Sequence, residues 1–239
     1  MFKFGIIGAM PEETERLKKE IEDIEEKSTP VRVVAGSLEF LEGSLAGKPV
    51  VLAQCGIGKV NAAIVASLLI SRFQVNAVLF TGVAGALDPS LDIGDIVIGD
   101  ELLEHDFDVT AFGKKPGEIP GMDTSRFPCD PRLVEMAEKS AIKLFTDIKI
   151  VRGRILSGDV FIASPEKIRR LRSQFGGMCT EMEGAAVAHV CHVLHTPCLV
   201  IRAVSDKADG DANADFKKFV DSSAERSARL LRALVQNYA

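Results

Sequence analysis

The chain has 239 residues, 46% hydrophobic and 26% charged, which is enough apolar content for a buried core and too much for a disordered chain. The formal net charge is −5, and the longest basic cluster is the short Lys167–Arg172 stretch. A duplex binder concentrates positive charge to release counterions, so nucleic acid is excluded as the expected partner in favour of a small molecule.

In chain order, short β-branched runs alternate with amphipathic stretches. Strands are predicted over Phe4–Ile7, Val31–Ala35, Glu39–Leu45, Val50–Gln54, Ala77–Thr81, Asp95–Leu103, Ile148–Ser157 and Pro197–Val204. Helices are predicted over Glu12–Ile24, Val60–Phe73, Pro131–Phe145, Pro165–Gln174, Glu183–Leu194 and Ala214–Gln236. This alternation predicts an α/β fold with a mostly parallel sheet covered by helices, and the close third and fourth strands add hairpins that make it mixed. No Gly/Ser linker, repeat or low-complexity segment divides the chain, so residues 1–239 read as one domain. His105–Pro128 stands apart: it is long, rich in Gly and Pro, and carries Val109 and Phe112. Its apolar content predicts a loop packed against something, a partner subunit included.

Five scattered cysteines (Cys55, Cys129, Cys179, Cys191, Cys198) form no C-x-x-C pair, which argues against a disulfide framework or a zinc site and fits a reducing cytosol. The amino terminus reads as a strand entering a turn, not as a signal peptide. No apolar run approaches the ~20 residues that span a bilayer, so the expectation is a cytoplasmic protein without membrane contact.

Gly56-Ile57-Gly58-Lys59 invites a phosphate-loop reading that fails on inspection. A P-loop needs glycine where Ala53 stands and a hydroxyl where Val60 stands, and the dinucleotide motif needs glycine where Asn61 stands. A turn that lets a ligand or helix approach the backbone is the better reading. His189, His192 and His195 recur every third residue, but on a helix the first and third diverge by roughly 240°, so the three cannot share one ion. They read as packing and helix-end residues. No G-x-S-x-G elbow or cysteine nucleophile motif is present.

Carboxylates at element ends are more informative. Glu12 and Glu13 open one helix, Glu181 and Glu183 flank Met182 at the start of another, and Ser205-Asp206 follows a strand. Singly, such acids serve a helix macrodipole at ~0.3–1 kcal/mol. Arg202 changes the balance, because it lies inside Leu199–Val204, a run apolar enough to be buried on both faces. A guanidinium there requires a carboxylate or ligand, and Glu181 or Glu183 could serve. Strand carboxyl ends form the ligand crevice of α/β sheets, so the pattern predicts a dry pocket with several acids and no metal.

These residues belong to a wider pattern: GIIGAMPEE (Gly5–Glu13), CGIGKVNAA (Cys55–Ala63), TGVAGAL (Thr81–Leu87), IGDIVI (Ile93–Ile98), HDFDVTAFG (His105–Gly113), IPG (Ile119–Gly121), SGDVFI (Ser157–Ile162), TEMEGAAVAHVC (Thr180–Cys191) and IRAVSDKADG (Ile201–Gly210). In this order, over nearly the whole chain, they resemble the 5′-methylthioadenosine/S-adenosylhomocysteine nucleosidases of the nucleoside phosphorylase superfamily.

The resemblance implies a three-layer αβα sandwich around a mixed, partly barrel-like sheet, a homodimer, and no metal or organic cofactor. It implies release of adenine and a 5-alkylthioribose from adenine thionucleosides. By the same resemblance, Asp206, supported by Ser205, matches the general acid that protonates adenine N7. Glu13 matches the carboxylate that activates water, and Glu183 the residue that holds the ribose hydroxyls, with Glu181 and Arg202 positioning it and Met182 beneath the sugar. Phe161 matches the purine-stacking residue, the Phe161 and Ile162 backbone reads the adenine edge, and Ala84 and Gly85 line the base pocket. Met10, Ile57 and Phe216 match positions around the sugar and thioalkyl group. Val109, Phe112 and Pro120 match positions that close the 5′ pocket from the neighbouring subunit.

The chain departs from better-known members at Pro11, Val83 and Lys114, the last bearing on preference between methylthio and homocysteinyl substrates. Phosphorylase relatives carry an Arg and a Ser or Thr where Phe80 and Val83 stand here, and an apolar pair cannot hold phosphate, so water is the expected nucleophile. Two other readings stay open: a nucleoside-binding protein without catalysis, and a hydrolase for another 6-aminopurine nucleoside such as aminodeoxyfutalosine.

Overall fold

The first strand, β1 (Phe4–Gly8), is buried along its whole length, and every later strand is placed relative to it. The computed structural model describes residues 2–22, 29–208 and 212–238. Beyond β1 the strands are β2 (Val31–Ala35), β3 (Leu38–Leu45), β4 (Lys48–Gln54), β5 (Ala77–Ala86), β6 (Ile96–Glu104), β7 (Phe127–Pro128), β8 (Ile150–Ser157), β9 (Cys179–Glu181) and β10 (Cys198–Asp206). The helices are α1 (Pro11–Glu22), α2 (Lys59–Ser71), α3 (Pro131–Leu144), α4 (Pro165–Phe175), α5 (Gly184–Val193) and α6 (Ala212–Asn237). Ile24, the predicted end of the first helix, lies outside the described residues, as do Asp209 and Gly210 of the last motif.

The strands form one mixed sheet in the order β10-β6-β8-β9-β5-β1-β4-β3-β2, with β7 paired to β6. Because β10 also pairs with β5, the segment β10-β6-β8-β9-β5 closes into a five-stranded barrel-like core. The sheet is less parallel than the alternating pattern predicts. Parallel pairs join β1 to β4 and β5, β10 to β5, and β8 to β6 and β9, whereas β10–β6, β5–β9 and the β2–β3–β4 meander are antiparallel. Periodicity reports which residues are buried, and a strand buried on both faces reads the same in either direction.

Two strands escape prediction because they are too short to carry a period: β7 inside the His105–Pro128 loop and β9 just before Met182. That loop also holds a single 3-10 turn over Thr110–Phe112. A third difference is β5, which runs past Thr81 to Ala86. The segment Gly82-Val83-Ala84-Gly85-Ala86 looks like a turn by composition, yet it is held as strand by β10 and β9. Its small residues make room for other side chains: a Cβ on Gly85 would lie 2.8 Å from Asp206 Oδ1.

Helix ends follow local chemistry. Asp130 caps α3 by accepting from Arg132 N (2.9 Å) and Leu133 N (3.0 Å), with Pro131 in the first turn. Gly176, with φ of 66°, ends α4 in the left-handed region. Helix α6 packs on β10 and β5 and against α1 and α3, while α2 packs against α5, which lies on β8 and β6. The main core includes Phe4, Ile6, Leu79, Phe80, Val200 and Leu231, all within 1% of full burial. Among the described residues, no helix is long and apolar enough to cross a membrane.

Candidate active site

On α1 the buried residues Glu13, Leu17 and Ile21 recur every fourth position, so the stripe that docks the helix also turns Glu13 inward. The carboxylate is only 4% exposed and is met by backbone donors. Oε2 accepts from Ala9 N (2.5 Å) and Met10 N (3.1 Å), and Oε1 accepts from Val83 N (3.1 Å). Burial pushes its pKa above the ordinary carboxylate value, while the Arg202 charge and these three donors oppose the rise.

Glu183 is the residue before α5, yet its side chain does not cap that helix. The capping is done by others. Glu181 Oε2 accepts from Gly184 N (2.7 Å) and Glu183 N (3.2 Å), and Ser157 Oγ accepts from Ala185 N (2.7 Å). Relieved of that task, Glu183 turns away, and its Oε1 accepts from Gly58 N at 2.8 Å. Its pKa is pushed up to about 8, first by burial and then by the neighbouring Glu181 carboxylate. The Gly56–Gly58 turn thus brings backbone close to a helix start, with φ of 83° and 101° at the two glycines.

Arg202 takes Glu181 as its partner, not Glu183. Its Nη2 and Nε donate to Glu181 Oε2 at 2.6 and 3.2 Å, and the guanidinium lies 4.1 Å from the Phe80 ring centroid. Ser157 Oγ donates to the other Glu181 oxygen. Such a pair is retained when every polar atom is satisfied, and nearly every one here is.

Asp206 ends β10 at a register shift: Val204 pairs with Ala84, but Asp206 pairs with Gly85, leaving Ser205 bulged between them. A bulge re-aims the following side chain. Asp206 Oδ2 accepts from Ser205 Oγ (2.8 Å), and Oδ1 accepts from Ala208 N (2.8 Å).

Glu13, Glu183 and Asp206 open into one cavity of about 430 Å³. Met10, Ile57, Ala84, Gly85, Phe161, Ile162, Glu181, Met182, Ser205 and Phe216 line it too. Phe161 and Phe216 meet edge to face across its mouth, ring centroids 6.0 Å apart. Arg202 lies behind the wall. Val109, Phe112 and Pro120 do not line this cavity, and Phe112 is 85% exposed. Sequence reasoning missed Ala9, Val160, Thr180, Asn213 and Lys217 on the lining, and Val83 as a donor to Glu13. Asn213 and Lys217 share a helix face with Phe216, a signal available from 3.6-residue spacing once Phe216 is placed.

The histidines behave as packing residues. His189 stacks on Phe127 at 4.4 Å and faces Glu104, His192 faces Asp123, and His195 sits past the helix end with φ of 51°. Among the described residues no three His, Cys, Asp or Glu side chains converge to hold a metal ion.

Residues 3–236 match the profile of the phosphorylase superfamily. A 5′-methylthioadenosine/S-adenosylhomocysteine nucleosidase from Geobacillus sp. (strain WCH70) is 42% identical over 236 residues, 98% of each chain. The chain belongs to this nucleosidase family of the phosphorylase superfamily. Solved structures agree. The Neisseria meningitidis nucleosidase in complex with methylthio-immucillin-A superposes with a TM-score of 0.92 at 40% identity, covering 100% of both chains. The futalosine hydrolase of Helicobacter pylori superposes with a TM-score of 0.92 at 34% identity, covering 99% of this chain and 98% of that one. The family is one of hydrolases that cleave adenine from thionucleosides.

Proposed function

We propose that the chain acts as one nucleosidase domain over residues 1–239, hydrolysing the N-glycosidic bond of 5′-methylthioadenosine and S-adenosylhomocysteine by acid-assisted departure of adenine. The observation that carries this reading is the convergence of Glu13, Glu183 and Asp206 on a single cavity whose other walls are mostly apolar.

Adenine is a poor leaving group as an anion. Asp206, held by Ser205 and by Ala208 N, delivers a proton to N7 as the C1′–N9 bond breaks and its electron pair moves onto the purine. Positive charge then grows on the sugar ring, as in other glycosidic cleavages, and nearby carboxylates lower its energy. Glu183 holds the ribose hydroxyls and, in its ionised form, supplies part of that field, with Glu181 and Arg202 fixing its position. Glu13 takes a proton from water as the water oxygen bonds to C1′. Burial raises the proton affinity of Glu13, which favours its uptake of that proton.

Phe161 stacks on the purine, the Phe161 and Ile162 backbone reads its edge, and Ala84 and Gly85 close the base pocket. Met10, Ile57, Met182 and Phe216 enclose the sugar and the thioalkyl group. In a homodimer, Val109, Phe112 and Pro120 of one subunit would reach the 5′ pocket of the other. Their absence from this chain's own cavity and the exposure of Phe112 support that arrangement.

The apolar Phe80 and Val83 support hydrolysis over phosphorolysis: Phe80 packs under Arg202, and the Val83 N–H is committed to Glu13. In phosphate-free buffer the protein should release adenine and free alkylthioribose at full rate. A strict phosphate requirement, with sugar-1-phosphate as product, would reverse the assignment. The likeness to a futalosine hydrolase keeps aminodeoxyfutalosine as a second substrate to measure. Relative kcat/KM over a panel of adenine nucleosides ranks these substrates, and binding without adenine release would point to a non-catalytic receptor.

A further inference from the structure

Lys59 completes the Gly56-Ile57-Gly58-Lys59 motif, and none of the chemistry above uses it. Its side chain is 17% exposed and its ammonium is shared between two carboxylates: Nζ donates to Asp106 Oδ1 at 2.7 Å and to Glu104 Oε2 at 2.9 Å. Its backbone is engaged as well. Lys59 N donates to Asp159 Oδ1 at 2.8 Å, and Asp159 N donates to Asp106 Oδ2 at 2.9 Å. Glu104 Oε1 lies 3.1 Å from His189 Nδ1 on α5, the helix that Glu183 precedes. One lysine therefore ties together the glycine turn, the end of β6, the segment carrying Phe161 and Ile162, and α5.

We propose that Lys59 is a positioning residue for the nucleosidase reaction: it pins the Gly58 N–H onto Glu183 and, through Asp106 and Asp159, fixes that contact relative to the purine-stacking segment. The inference rests on the reading of Glu183 as the ribose-binding carboxylate.

Gly58 is held through its backbone alone, its carbonyl accepting from Ala62 N at 3.1 Å. Its φ is 101°, a region open to glycine and strained for other residues, and it has no side chain to anchor. A Cβ there would approach Asp159 Oδ1 at 3.2 Å, so the turn is packed directly against its clamp. The Gly58 N–H lies in the peptide whose Ile57 carbonyl accepts from Asn61 Nδ2 at 2.7 Å, and on its other side the next residue, bound at both its N–H and its ammonium, holds the turn against Glu183. An ammonium shared by two carboxylates is a strong charge-assisted tether, and partial burial limits its screening by salt. The same tether removes Lys59 from phosphate binding.

The Gly58 N–H also lowers the proton affinity of Glu183, which faces Glu181 on β9, Arg202 on β10, Glu13 on α1 and Cys55 after β4. Losing that donor raises the pKa of Glu183 further. The acid limb of the kcat/KM profile, which reports free-enzyme carboxylates, must then move to higher pH.

The test compares adenine release from 5′-methylthioadenosine by the intact protein, Lys59→Met and Lys59→Arg across pH. Lys59→Met should lose about tenfold to a hundredfold in kcat/KM, the scale of a small misplacement of a substrate-binding group, with its acid limb displaced upward. Lys59→Arg, which keeps the tether, should recover most of both. Should Lys59→Met fail to fold, Asp106→Asn, which weakens one arm, must show the same displacement to a smaller extent. A folded Lys59→Met with an unmoved acid limb overturns the proposal, whether its activity is retained or lost, and so does an unmoved limb in Asp106→Asn. If the unsubstituted protein releases no adenine, the nucleosidase reading falls first and takes this inference with it.

Discussion

Gly82 exists to make room for Glu13: a Cβ at position 82 would lie 2.6 Å from Glu13 Oε1. The same methyl would come within 3.3 Å of Arg202 Nη1, so β5 lacks a side chain where two charged groups pass. Gly82→Ala should therefore fold, because its backbone is ordinary strand, yet push the Glu13 carboxylate off the Ala9, Met10 and Val83 donors. A loss of about a hundredfold in kcat/KM is expected, measured by adenine release and set against an unchanged circular dichroism spectrum. Full activity in Gly82→Ala would show that the position of Glu13 is not critical.

Asp206→Asn keeps the size of the side chain and the ability to accept from Ala208 N, but it removes the transferable proton. Turnover should fall by about 10²–10⁴, the usual worth of a positioned general acid, while ligand-induced thermal stabilisation persists. Near-normal turnover would remove Asp206 from the role.

Arg202→Met leaves Glu181 as a buried carboxylate without its countercharge. Stranding a buried charge costs about 3–5 kcal/mol, so chemical denaturation should show a large fall in stability. Adding Glu181→Gln to Arg202→Met should restore much of it. If the double variant is no more stable than Arg202→Met, the two side chains do not act as a pair.

The raised pKa of Glu183 carries a stability consequence of definite sign. Between the ordinary value of 4.5 and about 8, the folded state binds a proton that the unfolded state has released. Stability attributable to this group is thus fully present below 4.5 and is lost as pH climbs through that window. Glu183→Gln cannot titrate, so its stability should decline less across the same range, as read from urea midpoints at successive pH values. An identical decline in both proteins would mean that Glu183 titrates normally.

Much of the fold could be read from the chain itself. Each of the six predicted helices is present, with the ends that fall among the described residues shifted by no more than two residues, and the β3–β4 hairpin forms as its spacing implied. Arg202 in an apolar strand was a legible sign of a buried pair, since the apolar run fixes burial and burial demands a partner. Which acid answered was not legible. Glu181 and Glu183 are neighbours in sequence, and only the ending of β9 between the barrel strands sends one to Arg202 and the other to Gly58. The roles of Asn213, Lys217 and Lys59 were hidden for the same reason, because each depends on a partner more than forty residues away or on a cavity wall supplied by other elements.

The sequence by itself determined the six helices and the longer strands, the capped helix ends, the buried stripe that carries Glu13, and the chemical kind of the site: carboxylates in apolar surroundings. Tertiary structure alone decided the strand directions, the closure of the barrel by β9, and the meeting of Glu13, Glu183 and Asp206 around one cavity. The division has a physical cause. Periodicity and capping are encoded by interactions within a few residues, whereas strand pairing and the sharing of buried charge are settled by contacts between segments that approach only when the chain has folded.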